Sequence, residues 1–95
     1  MFKPNPDADI NETSFHGVTV RATLKQMTDR FGEPFPGDGY KTTHEWIFEG
    51  PGFDVAVYDY KYNGAVESKW NVGTLTAEQS RQFKAWFDTA ARATK

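Results

Sequence analysis

Histidines 16 and 44 are the only imidazoles in this 95-residue chain, and it contains no cysteine. Thiolate nucleophiles, disulfides and zinc-thiolate sites are therefore excluded, and the composition fits a reducing cytoplasm. A histidine metal site needs the two imidazoles close together with Asp or Glu, and ligand spacing such as H-x-x-x-H is absent. The G-x-S-x-G, phosphate-loop and dinucleotide fingerprints are missing as well. His44, Glu45 and Asp59 are the one grouping that could support a small hydrolase or nuclease. For His44, a half-buried packing role beside Trp46 is the simpler expectation, and neither metal nor cofactor is implied. Asp59 stands between Tyr58 and Tyr60 in a strand-like run that disfavours Asp, so its presence needs a reason. The plain reason is an ion pair or hydrogen bond to Lys61, Lys41 or a helix cation. The sharper one is an exposed functional carboxylate.

Binding chemistry has more candidates. Arg21, Lys25 and Arg30, with Lys41, could form an anion pocket for a nucleotide or phosphate, although a cationic helix face is usually only solvated. Tyr58, Tyr60 and Tyr62 share a strand face with Ala56. If helices cover the opposite Val55/Val57 face, these tyrosines stand on an open face, with Trp46 or Trp70 beside them. Exposed aromatics on a sheet can stack bases, but the accompanying cations are few, Lys61 and Lys69 only. The same features describe a dimer or host-protein interface, where Tyr and Trp are enriched. Charge favours the protein interface over nucleic acid. Tyrosines sealing a second, loop-covered core are the plain alternative.

The elements that would position these residues follow from periodicity. Lys41–Phe48 and Phe53–Tyr62 alternate at period two, one with His44, Trp46 and Phe48 on one face, the other with Phe53, Val55 and Val57. Glu49-Gly50-Pro51-Gly52 supplies the turn between them. Upstream, Ser14–Val20 reads as a strand in which Gly17 permits a bulge. Thr23 and Gln26 have capping-box spacing, Leu24, Met27 and Phe31 make an apolar helix face, and Gly32 with Pro34 ends that helix. Glu33–Tyr40 is a loop, and Asn63-Gly64 begins a turn. Lys69–Thr74 is a third sheet strand after the first. Thr76 and Gln79 repeat the cap ahead of a helix with a Ser80, Phe83, Trp86, Phe87 and Ala90 stripe, closed by Arg92 and Lys95.

The expected fold class is α+β: a single domain over residues 14–95, β-α-β-β-β-α, with an antiparallel sheet and both helices on one face. Residues 1–13, with Pro4 and Pro6, read as an extended or mobile arm, either a solvated tail or a partner-pairing arm anchored by Phe2 and Ile10. Leu and Ile are scarce, while 8 Phe, 4 Tyr and 3 Trp are present, so the core must be aromatic and Val-rich. The formal charge of −2 sits in residues 1–12, where Asp7, Asp9 and Glu12 meet only Lys3. The balanced remainder gives no strong attraction to nucleic acid or an anionic membrane. No basic segment followed by an apolar run opens the chain, and no run approaches membrane-spanning length. A soluble protein of the cytoplasm is the expectation.

Three short signatures occur in order: Phe31-Gly32-Glu33-Pro34, Tyr58-Asp59-Tyr60-Lys61 and Trp70-Asn71-Val72-Gly73, with Trp46 between the first two. In this order the chain resembles a set of small bacteriophage proteins of unassigned role, over about Phe15 to Phe87. Those proteins end their last signature in Gly-Gly, where this chain has Gly73-Thr74. The resemblance implies a phage origin and brings no catalytic residues. With the missing catalytic constellation, it leads to a non-enzymatic accessory protein in the host cytoplasm. Its partner would be a host protein, as for an inhibitor of defence, or a nucleotide-like small molecule held by a homo-oligomeric sponge. The residues expected to carry binding are Arg21, Lys25, Arg30, Lys41, Trp46, Tyr58, Tyr60, Lys61 and Trp70. A virion or assembly component, and behind it a small hydrolase or nuclease, are the alternatives.

Overall fold

Alternating side chains build the sheet. The computed structural model describes residues 2–37, 41–61 and 63–93. Strands β1 (Lys3–Pro4), β2 (Ser14–Arg21), β3 (Glu45–Glu49), β4 (Asp54–Tyr58) and β5 (Lys69–Thr74) form one sheet in the order β1-β3-β4-β5-β2. Every neighbouring pair is antiparallel. Trp46 pairs with Val57 and Phe48 with Val55, and on the far side of β4 Val57 pairs with Val72. These apolar rows make one continuous face. Against it pack α1 (Leu24–Phe31) and α3 (Ala77–Ala93). Phe31 of α1 meets Phe48 edge-on at 4.9 Å, and Phe83 of α3 lies 5.2 Å from the same ring. The α+β expectation, with both helices on one face of an antiparallel sheet, therefore holds.

The core is as aromatic and Val-rich as the composition requires. Val20, Val55, Val57 and Val72 are fully buried with Phe48, Trp70, Phe83 and Met27. At about 1.5–3 kcal/mol per buried side chain, this face supplies the main driving force for folding. Trp46 and Trp70 meet at 90° with ring centres 5.0 Å apart, and each indole N–H finds a carbonyl: Gly32 O at 2.9 Å and Ala22 O at 2.8 Å. The expected cap of α1 is complete, with Thr23 Oγ1 accepting Gln26 N–H and Gln26 Oε1 accepting Thr23 N–H. At α3 only half of it forms, because Gln79 turns its side chain to Leu75 N–H instead. Thr74 is fully buried and points inward. Its hydroxyl donates to Thr76 O, so Ser80 must donate to it across 2.5 Å.

Four expectations need correction. The start of the chain is not a solvated arm. Lys3–Pro4 pairs with β3, and Phe2 is buried against Phe53, Phe83 and Trp86 at 5.1–5.5 Å. Gly50 leaves the space for it, since a Cβ there would stand 2.3 Å from the Phe2 ring. The hairpin strands are shorter than their alternation, because His44 and Tyr60 fall outside the ladder. Asn63-Gly64 opens a five-residue helix, α2 (Asn63–Glu67), rather than a turn. Arg21 ends β2 and is not part of the cationic face of α1. Tyr62, Lys95, the Arg92 side chain and the Asp38–Tyr40 end of the predicted loop lie outside the described residues. Among the described residues, no helix is long and apolar enough to cross a membrane.

Candidate functional site

Asp59 is the first residue to place, because it was the candidate carboxylate. It lies just past β4 and is fully buried. Oδ1 accepts the backbone N–H groups of Thr43 and His44 at 2.8 and 3.1 Å, and Oδ2 accepts the Thr43 hydroxyl at 2.7 Å and His44 Nδ1–H at 2.8 Å. Burial opposes its ionisation, and these bonds outweigh it, holding the carboxyl below its ordinary value. An ionised carboxylate has no hydrogen to give, so the proton must sit on Nδ1 of His44. The partners are thus Thr43 and His44, not the lysines or helix cation expected. His44 is half-buried as foreseen, its side chain 21% exposed.

This arrangement is a pin. A histidine activates a nucleophile by accepting its hydrogen. Here the Thr43 hydroxyl gives its hydrogen to Asp59 and His44 Nδ1 carries a proton, so His44 does not activate Thr43. What the cluster does is tie the segment before β3 to the segment after β4. Asp59 N–H to His44 O and Lys61 N–H to Lys41 O extend the tie. The next two residues are Tyr60 and Lys61. Lys61 has a positive φ of 53°, and its Nζ lies 5.4 Å from the Tyr60 ring centre.

Tyr60 is thereby held on the sheet face turned away from α1 and α3. Alternation puts Glu45, Ile47, Ala56, Tyr58, Lys69, Asn71 and Gly73 on that face, joined by Phe15, Thr19 and Arg21 of β2. A bulge at Gly17, with φ 84°, shifts the register between Phe15 and Thr19, yet both contribute to the same groove. The groove has a volume of about 260 Å³; β2 and β5 form its floor through Thr19 and Asn71, and Tyr60, Gly64 and Glu67 close its other side. Its two rings are unusually exposed for aromatics, Phe15 at 47% and Tyr60 at 41%. Tyr58 packs over Gly73, one ring carbon 3.2 Å from where a Gly73 Cβ would be. Burial, and then the Glu45 carboxylate, push the Tyr58 phenol above its ordinary value.

The other expected site residues are scattered. Trp46 and Trp70 are in the core, because they alternate in phase with Phe48 and Val72. Lys25 pairs with Asp29 at 2.6 Å on the outside of α1. Arg30 lies over Phe31 and Phe87, at 4.7 and 5.1 Å, where α1 meets α3. Lys41 precedes β3 and is exposed. Only Tyr58, Tyr60 and Arg21 belong to the open face, with Lys61 beside Tyr60. Sequence reasoning missed Phe15, Thr19 and Asn71, although the inward phase of Trp70 and Val72 already assigns Lys69 and Asn71 outward. Among the described residues, no three His, Asp or Glu side chains are grouped to hold a metal ion. No protein-family model, curated protein or solved structure matches the chain.

Proposed function

We propose that this chain is a non-enzymatic accessory protein of bacteriophage origin that engages a host factor through the open face of its sheet. The observation that carries the reading is the groove beside Tyr60, with Phe15 and Tyr60 holding large apolar rings in solvent. Three aromatic rings are exposed among the described residues, Phe15, Phe35 and Tyr60, and two of them line this one groove; exposed rings that share a concave surface mark contact sites. In the host, such a protein would act by occupying or sequestering its target, as an inhibitor of a defence factor does.

The test is affinity capture from host lysate with wild-type protein and with Phe15→Ser/Tyr60→Ser, with native mass spectrometry of what each retains. Both positions are exposed, so the double variant should keep the wild-type melting temperature. A factor retained by the wild type and lost from the variant supports the reading. Equal retention by both, or retention by neither, refutes it.

A further inference from the structure

Two cations face each other where Lys69 bounds the groove, with Arg21 just outside its lining. Arg21 of β2 and Lys69 of β5 are directly opposed in the ladder. Ala22 N–H bonds to Ser68 O one pair further on, which makes Arg21 and Lys69 a non-hydrogen-bonded pair, the closer of the two kinds. Their side chains share the open face with Thr19 and Asn71. Like charges directly opposite across a sheet repel, so the fold gains nothing from this placement. Arg21 has no ion pair or side-chain hydrogen bond among the described residues. Lys69 has Glu67, but only at 3.9 Å and half in solvent.

We infer that the groove is a binding site for an aromatic anion of the nucleotide class, its ring against Tyr60 and its phosphate between Arg21 and Lys69. The inference rests on the open-face reading above and names the ligand for it. Phe15 pairs with Gly73, about 14 Å along β5 from Lys69 at the strand rise, whereas the β4–β5 register carried past Tyr58 and Asn71 brings Tyr60 level with Lys69, so Tyr60 is the ring within reach of the cations and Phe15 bounds the far end. Thr19 and Asn71, the next pair along that face, have side chains that donate and accept, as a sugar requires. A guanidinium beside an ammonium suits a phosphate, the first bidentate and the second a point charge. Base stacking on exposed rings is tolerant of base identity, so the class is assigned and not the base. Glu67 lines the same groove and competes for Lys69, so it sets the affinity below what the two cations alone would give. The expected helix cations Lys25 and Arg30 take no part.

The experiment is calorimetric titration of the full chain with 5′-AMP, adenosine and inorganic phosphate, repeated with 5′-GMP and 5′-UMP. The monophosphates should bind at least about tenfold tighter than the nucleoside or phosphate alone. Arg21→Ala should weaken 5′-AMP by about tenfold or more without moving the melting temperature. Glu67→Gln should tighten it severalfold, a gain that a merely structural Glu67 would not give, and Lys25→Ala should leave it unchanged. Equal affinity for adenosine and 5′-AMP, or an Arg21→Ala variant that binds as the wild type does, overturns the inference. So does failure of all three monophosphates to bind. If they fail while Phe15→Ser/Tyr60→Ser still abolishes retention of a host protein, the ligand assignment falls and the open-face reading survives. If both fail, both fall.

Discussion

Replacing Asp59 removes the acceptor for two backbone N–H groups, one hydroxyl and one ring N–H at once. A buried donor left without a partner costs about 1–3 kcal/mol. The four losses do not add, because His44 retains some solvent access and its neighbours relax. Asp59→Ala should therefore cost on the order of 3–5 kcal/mol, a large share of the roughly 5–15 kcal/mol available to a domain. Asp59→Asn keeps the shape and can still accept both backbone N–H groups, but turns amide hydrogens toward Thr43 Oγ1 and His44 Nδ1. About 1–2 kcal/mol is expected, or roughly 4–15 °C in melting temperature. The carboxyl is held below its ordinary value of 3.8, so its stabilisation is complete above the unfolded-state value and is lost as pH falls through the folded-state value. Urea denaturation in steps from pH 7 to pH 3 should show wild-type stability declining below about pH 5, with Asp59→Asn showing a shallower decline. An Asp59→Asn midpoint equal to wild type at pH 7, with the same acid slope, would refute the pin.

Two further substitutions probe how the ends of the sheet are held. Phe2→Ala should destabilise by about 3 kcal/mol in thermal unfolding despite its place at the start of the chain, because the ring touches Phe53, Phe83 and Trp86; a change under half that would return residues 2–4 to the status of a loose arm. Gly64→Ala places a Cβ 2.7 Å from both Asp59 Cβ and Trp70 Cε3. It should cost about 1–3 kcal/mol by urea titration even though Ala is the better helix former, and a stabilised variant would show that α2 does not press on the pin.

The parts of this fold that were legible in the sequence are those where one local rule acts alone. Period-two alternation located β3, β4 and β5, and the T-x-x-Q spacing with Gly32 framed α1. Alternation also carried the information that Trp46 and Trp70 point inward with Val57 and Val72, but an aromatic residue's appeal as a binding group competed with that phase. Phe2 was hidden because its burial depends on the space above Gly50, a residue 48 positions away with no local signature. The α2 helix was hidden because Asn-Gly favours a turn unless tertiary contacts override it, and here Gly64 is pressed against Trp70 and Asp59. Asp59 was recognised as out of place in a strand, but two of its four partners are backbone amides, which carry no sequence letter. Phe15 and Thr19 share a face because they are four residues apart, and the register shift between them, which no local rule sizes, sets both over two residues of β5 at the groove.

The open face, not the cationic helix, should be where the ligand or partner meets this protein. Amide chemical-shift mapping tests it most directly: ¹⁵N-labelled protein is titrated with the nucleotide fraction of a host extract, then with its protein fraction. The perturbed amides should cluster at Phe15, Thr19, Tyr60, Lys69 and Asn71. Shifts gathered on α1 around Lys25 and Arg30, with the open face silent, would contradict it.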